Sequence, residues 1–324
     1  MLRSILKSLV FVGTMMSVFT SGLAVAQSWP EKPVRLVVPF SAGGVADTLA
    51  RLVGQGLSDK WQQSVVVENV SGAGGNIGMG RVVRAPADGY TIILAPNGNM
   101  TINQHLFNQL PVDVEKDVTP VTILADSQNV LIVSPKLGAK TLQDLLRIAR
   151  ERPEGITYGS PGVGSTQHLA GALLGMQAGV KVLHVPYKGF SPAINDVIAG
   201  EIDMLFLAVA TAAPFVQSGQ VLPLAIAGAQ PAAILPNVLP ITKQGFPEFD
   251  AVSWYSLIVR KGTPEPLVRQ LHSDIQDVLK ANRDRIVALG LTPSGKGLDE
   301  FAALARDQSA RWGKTIDQIG IKKQ

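Results

Sequence analysis

Two stretches of the chain put glycine and hydroxyl residues where a backbone can grip an anion. The first is Val34-Arg-Leu-Val-Val-Pro-Phe-Ser-Ala-Gly-Gly44, and the second is Ile156-Thr-Tyr-Gly-Ser-Pro-Gly-Val-Gly-Ser-Thr166. Each reads as a β-run, a glycine-rich loop and a helix start. That order gathers free N–H groups and the positive end of a helix dipole at one place. Gly43, Gly44, Gly162 and Gly164 either cradle a ligand or only permit tight turns. Ser160, Ser165 and Thr166 carry hydroxyls that can donate to a carboxylate or cap the following helix. Asn97 and Asn99, after a third strand, are candidate polar contacts, with Tyr187 and Lys188 weaker ones. Asp47 lies in the first turn of its helix, where a carboxylate suits the dipole or a bond to the glycine loop better than an anionic ligand. His168 reads as a structural hydrogen-bonder.

Other chemistries find no support in the residues. There is no cysteine, which removes zinc-thiolate, iron–sulfur and thiol chemistry. Histidines 105, 168, 184 and 272 are scattered, with no helical pair for a metal. Gly72-Ala-Gly-Gly-Asn-Ile-Gly78 has the wrong spacing for a dinucleotide loop and follows a second strand. Gly162-Val-Gly-Ser-Thr166 lacks the lysine of a P-loop, and no Gly-x-Ser-x-Gly elbow occurs. No metal site and no cofactor is therefore expected. The net charge of +4 comes without a Lys/Arg tract, so no nucleic-acid partner is expected either.

The elements that must position these loops alternate between strand and helix, the α/β signature. Strands are expected over Val34–Phe40, Ser64–Asn69 and Tyr90–Ala95, with helices over Val45–Trp61 and Asn76–Arg84. The order recurs as strand Ile156–Ser160, helix Thr166–Ala178, strand Lys181–Tyr187, helix Pro192–Ala199 and strand Met204–Val209. Two further runs, Asn129–Pro135 and Trp254–Arg260, each precede a helix and read as strands by which the chain crosses between two lobes. The expected division is 27–127 with 253–324 in lobe 1 and 128–252 in lobe 2. A last helix, Leu298–Ile319, carries Phe301, Leu304, Ala305, Trp312 and Ile316 on one side and is expected to pack on lobe 1. In open α/β sheets ligands sit beyond the carboxyl ends of strands, where both glycine loops belong.

Residues 1–26 read as a leader: Arg3 and Lys7, an apolar stretch Leu9–Val18, and Ala24-Val25-Ala26 as the cleavage site. Its removal after Ala26 leaves 298 residues with net charge +2, an exported chain with no later membrane span and no lipid-bearing cysteine.

Several motifs occur in a specific order. Trp29-Pro-Glu-Lys-Pro-Val-Arg-Leu-Val-Val-Pro-Phe40, with Gly43-Gly44 and Asp47, resembles the opening of the Bug family. These are periplasmic solute-binding components of tripartite tricarboxylate transporters. Val67-Glu-Asn69, Gly72–Gly78, Asp88-Gly-Tyr-Thr91, Gly162–Leu169, His184-Val-Pro-Tyr-Lys-Gly189 and Trp254-Tyr continue the likeness to the C-terminus. The resemblance implies a two-lobed type II periplasmic-binding-protein fold with a hinge and central cleft. It implies a monomer that binds a small carboxylate without catalysis and hands it to the transporter's membrane subunits. Family ligands include tricarboxylates, dicarboxylates, amino acids and aromatic acids. They are held by backbone groups of two loops, here Phe40-Ser41-Ala42-Gly43-Gly44 and Ser160 to Thr166. Where members often carry an acid after a Phe, this chain has Phe206-Leu207, then Ala208-Val-Ala-Thr211. That implies a neutral wall at Leu207 and Ala208, suited to an aliphatic or aromatic carboxylate rather than an amino acid. Two other readings stay open at the level of sequence: a module presenting its ligand to a sensor kinase, and an exported α/β hydrolase, for which no nucleophile and base are evident.

Overall fold

The structure, a computed structural model, describes residues 29–323; the leader and the cleavage site after Ala26 lie outside them. Residues 29–32 carry no regular structure, and the compact unit begins at Pro33.

Eleven strands among the described residues form two sheets. In chain order they are β1 (Val34–Val38), β2 (Val65–Asn69), β3 (Thr91–Pro96), β4 (Val118–Ser127), β5 (Asn129–Val133), β6 (Ile156–Ser160), β7 (Val182–Pro186), β8 (Met204–Ala208), β9 (Leu222–Ile226), β10 (Ser253–Arg260) and β11 (Leu291–Pro293). The longer helices are α1 (Val45–Trp61), α2 (Asn76–Arg84), α3 (Leu142–Glu151), α4 (Thr166–Ala178), α5 (Phe190–Ala199), α6 (Val209–Gln217), α7 (Glu265–Ala281) and α8 (Leu298–Ile319). Among the described residues no helix is long and apolar enough to cross a membrane.

The first sheet runs β11-β4-β10-β3-β1-β2 and the second β7-β6-β8-β5-β9. Leaving out β11, the two orders correspond strand for strand. In each sheet the first three strands are parallel, and the fourth, β10 or β5, runs antiparallel to its neighbours. Strands covered on both faces read as continuous apolar runs, which is why β5 and β8 are so plain in the sequence. β4 and β9 are not plain, because each contains a proline. In both, the proline sits at a register shift: Pro120 opposite Ile258 in β10, and Pro223 opposite Ile132 in β5. A bulge excuses the missing N–H that would break a regular ladder.

The chain passes from the first sheet to the second between Ser127 and Asn129 and returns at Ser253. Ser127 and Ser253 are register partners, so the two crossovers run side by side.

The last helix departs from the expectation that it packs on lobe 1 alone. Phe301, fully buried, meets Trp254 of β10 edge-on at 5.4 Å in the core of the first sheet. Further along, Trp312 and Ile316 join the core of the second sheet, with Leu142, Leu169 and Phe206. Ile102 and Leu106, from the wide turn and short helix after β3, join the same core. The apolar face of α8 is longer than one lobe, so its two halves serve two cores.

Candidate functional site

The two glycine loops lie at the C-terminal ends of β1 and β6, equivalent strands of the two sheets. They are not equivalent in environment. Ser41, Ala42, Gly43 and Gly44 are exposed, and Phe40 is half-buried. Gly44 caps α1 in an extended conformation with no side-chain cap. The first bond of the helix is Thr48 N to Gly44 O at 3.0 Å. The N–H groups of Val45, Ala46 and Asp47 therefore precede the intrahelical ladder, at the positive end of a 17-residue helix.

The loop is held from behind by Asp47, which is buried. Its carboxylate accepts from Gly43 N, Arg51 Nε and Asn69 Nδ2, each at 3.0 Å. The Asn69 amide also donates to Phe40 O at 3.0 Å. Burial alone pushes the Asp47 carboxyl up. The bonds from Arg51, Gly43 and Asn69, with the Arg51 charge, outweigh it and hold the group below the usual carboxylate value. Asp47 thus fixes the loop with its charge already compensated.

The second loop is packed. Gly164 and Thr166 are buried, and the residues between Ser160 and Thr166 are at most half-exposed. The three hydroxyls read as possible donors are engaged within the protein. Ser165 Oγ donates to Gly162 O at 2.8 Å and caps His168 N at 3.1 Å. Thr166 Oγ1 donates to Asn97 Oδ1 at 3.0 Å. Ser160 Oγ lies 3.0 Å from Gly162 O and 2.7 Å from His184 Nε2, and accepts from Gly162 N at 3.1 Å. A hydroxyl has one proton to give, so these side chains reach a ligand only by giving up a bond. Asn97 is likewise engaged at both ends: its Nδ2 donates to Val252 O at 3.3 Å. Tyr187 donates to Asp196 at 2.6 Å.

Three residues outside the candidate list hold the second loop against the first sheet's side. A Cβ on Gly98 would sit 2.7 Å from Gly164 O, and one on Gly74 would sit 3.0 Å from Val163 O. Asn103 presses its Oδ1 on Gly164, and that oxygen is buried with no protein partner. The 72–78 glycine loop is thus a place of close backbone approach, a use that its resemblance to a dinucleotide fingerprint conceals.

At β8, Ala208 is buried at the strand end, where it caps α6. Leu207 is not a ligand wall. It is fully buried in the core behind the sheet with Ile132, Ile194 and Val197, while Phe206 points to the opposite core. Strand alternation sends these neighbours to opposite faces, and both faces are covered.

His168 and His184, 16 residues apart, meet with ring centroids 4.1 Å apart. Parallel pairing of β6 with β7 sets His184 opposite Tyr158, beside the first turn of α4. The contact of Ser160 with His184 has the length of a nucleophile–base pair. Ser160 is fully buried, and no carboxylate among the described residues is hydrogen-bonded to His184. Burial pushes His184 down to about 4, and burial with the neighbouring His184 pushes His168 down to about 3. Both rings are neutral in the fold. Between pH 6.5 and about 4 the unfolded chain takes up protons that the folded one refuses, so stability falls as pH falls through this window. Urea titrations at pH 7 and pH 5 should differ by about 1–2 kcal/mol per ring. A His168→Gln/His184→Gln variant should flatten that difference; an unchanged slope would mean that the rings are not buried neutral. No group of three or more His, Cys, Asp or Glu residues able to hold a metal occurs among the described residues.

The family model of the tripartite tricarboxylate transporter family receptor, TctC, matches residues 49–321. BugT of Bordetella pertussis is 30% identical over 309 residues, covering 94% of this chain and 95% of that one. The chain belongs to the TctC receptor family. The solved structure of R. palustris Rpa4515 with adipate is 32% identical, with a TM-score of 0.86, and the match covers 91% of this chain and all of that one. MatC (Rpa3494) from Rhodopseudomonas palustris with bound malate is 28% identical, with a TM-score of 0.81, over 89% of this chain and all of that one. The fold of this TctC receptor is the two-lobed type II periplasmic-binding-protein fold. As a TctC receptor the chain binds a solute and is not an enzyme.

Proposed function

We propose that this TctC receptor binds a small carboxylate in the periplasm and delivers it to the membrane subunits of a tripartite tricarboxylate transporter. The observation that carries the reading is the exposed loop 40–44, which fronts uncapped N–H groups at the start of α1 and is braced from behind by a charge-compensated Asp47. The two R. palustris neighbours hold adipate and malate. Both are dicarboxylates, which favours a dicarboxylate over a tricarboxylate or an aromatic acid. The ligand contacts assigned are the backbone of Phe40 to Gly44 and of the loop from Ser160 through Gly164 to Thr166, beside Ala208. The lobes are taken to divide at 127/128 and 252/253, and the mature chain to begin after Ala26.

A thermal-shift panel of adipate, malate, citrate, benzoate and a neutral sugar tests this. A ligand at about 100 times its Kd adds roughly 2.7 kcal/mol, enough to raise Tm by about 5 °C. A shift with the sugar and none with any acid would overturn the reading. Gly44→Val adds the discriminating variant. A Cβ at Gly44 meets nothing within 4 Å, and its φ of −84° suits any residue. Melting should therefore stay within about 1 °C of the parent, as for an unstrained surface change. The bulk beside the N–H groups of residues 45–47 should weaken carboxylate binding at least tenfold by isothermal titration.

A further inference from the structure

The first turn of α4 fastens the second loop to three places with three consecutive side chains. Thr166 reaches Asn97 at the end of β3, and His168 turns back to the loop, accepting from Gly164 N at 3.5 Å. Gln167 reaches the crossovers. Its Nε2 donates to Asn129 Oδ1 at 2.9 Å and to Ser253 Oγ at 3.4 Å. Asn129 opens β5 just after the outgoing crossover, and Ser253 opens β10 just after the returning one. The Asn129 amide binds the returning strand as well, donating to Ala251 O and to Ser253 Oγ, each at 3.0 Å. Gln167, Asn129 and Ser253 are 8%, 0% and 6% exposed, so water does not compete for these bonds.

A relative rotation of the lobes has to change backbone angles where the chain crosses between sheets, near Gln128 and Val252. Gln167 joins both crossing strands to the helix that carries the second loop. Gln167 and Asn129 lie on the same side of the expected lobe division, so the bonds in this cluster that cross it are the two that converge on Ser253 Oγ. A rotation that draws Ser253 away takes a shared acceptor from two buried amides.

We propose that Gln167 is a positioning residue that couples the second loop to the hinge and biases the lobes toward this arrangement. It touches no ligand in this role. Affinity then depends on it through the population of the competent form, since the apparent Kd is the intrinsic Kd divided by that fraction. The affinity part rests on the carboxylate reading above; the bias between lobes does not.

The test uses the full mature chain. With no native cysteine, Gln55→Cys in α1 and Arg147→Cys in α3, both exposed, take spin labels cleanly for interlobe distance measurement by pulsed electron paramagnetic resonance. Gln167→Met keeps the length and apolar volume but not the bonds. Without ligand, the distance distribution of Gln167→Met should gain a second, displaced population that the parent lacks. Saturating adipate, or whichever acid shifts the parent's Tm, should collapse it, and the Kd for that acid should rise about tenfold. If no acid binds the parent, the carboxylate reading fails while the ligand-free distances still decide the coupling. Superimposable ligand-free distributions for parent and Gln167→Met would overturn the proposal. Should Gln167→Met not fold, Ser253→Ala removes the acceptor shared by Asn129 and Gln167 and is read in the same way.

Discussion

Gly164→Val is expected to lose binding and stability together, unlike its counterpart in the first loop. Gly164 has φ +84°, in the left-handed region. A β-branched residue there costs about 1–2 kcal/mol from backbone sterics alone. The new Cβ would also overlap Asn103 Oδ1 and stand 3.2 Å from Phe107 Cε2. Asn103 cannot turn aside freely, because its Nδ2 donates to Asn76 Oδ1 at 2.6 Å inside a buried cluster. Overpacking of this kind adds roughly 1–3 kcal/mol. Urea unfolding should therefore show a loss of about 2–5 kcal/mol, and titration with the acid that binds the parent should show no measurable affinity. Asn103 and Phe107 belong to the segment after β3, so the loop can relieve the clash only by drawing back from that segment. Gly164→Ala keeps the backbone penalty and most of the overlap and should fall between parent and valine variant. A valine variant as stable as the parent would show that the second loop does not lie against Asn103 in solution.

The contrast between Gly164 and Gly44 shows where reading the sequence stops. Both were legible as loop glycines at equivalent strand ends, because in each a short run of β-formers leads into a glycine-rich loop followed by helical spacing. Nothing in either loop says that one is open and the other covered; that depends on Asn97, Gly98 and Asn103, some sixty residues earlier in the chain. Leu207 shows a different limit. Its place near a strand end suggested a wall, but Leu207 faces the core behind the sheet and burial continues through Val209; where β8 stops was not readable, since strand ends are the least legible feature of a sequence. The hydroxyls of Ser160, Ser165 and Thr166 were legible as donors by type. Their partners were not, because Gly162 O, Asn97 and His184 are brought to them only by the folded loop and by the pairing of β6 with β7. The second face of α8 was written in the sequence too, as an apolar stripe running from Phe301 to Ile316. Its length exceeds what one lobe needs, and that excess was the available sign of a helix shared by two cores.

Trp312→Ala tests that sharing and is expected to cost about 3–5 kcal/mol, the range for truncating a large buried aromatic side chain. Trp312 is 2% exposed, and its neighbours in the second core come from α3, α4 and β8. The adjacent Arg311 pairs with Asp250 at 2.6 Å, just before the returning crossover, and stands over the Trp312 ring at 5.7 Å. One turn further back, Gln308 accepts from Trp254 Nε1 at 2.7 Å, tying the same helix to β10. Because α8 is anchored in both cores, loosening its second half should be felt by the first. Urea unfolding of the variant should remain a single transition at a lower midpoint, with fluorescence and circular dichroism coincident. Two separated transitions would mean that the cores unfold independently and that α8 does not couple them; a loss under 1 kcal/mol would mean that its second half is not packed as described. The shared helix also limits how the molecule can open. A hinge confined to the two crossovers would have to pull Trp312 and Ile316 out of the second core. An opening that keeps them buried must pivot close to α8 and must also carry along the segment after β3, whose Ile102 and Leu106 lie in the same second core.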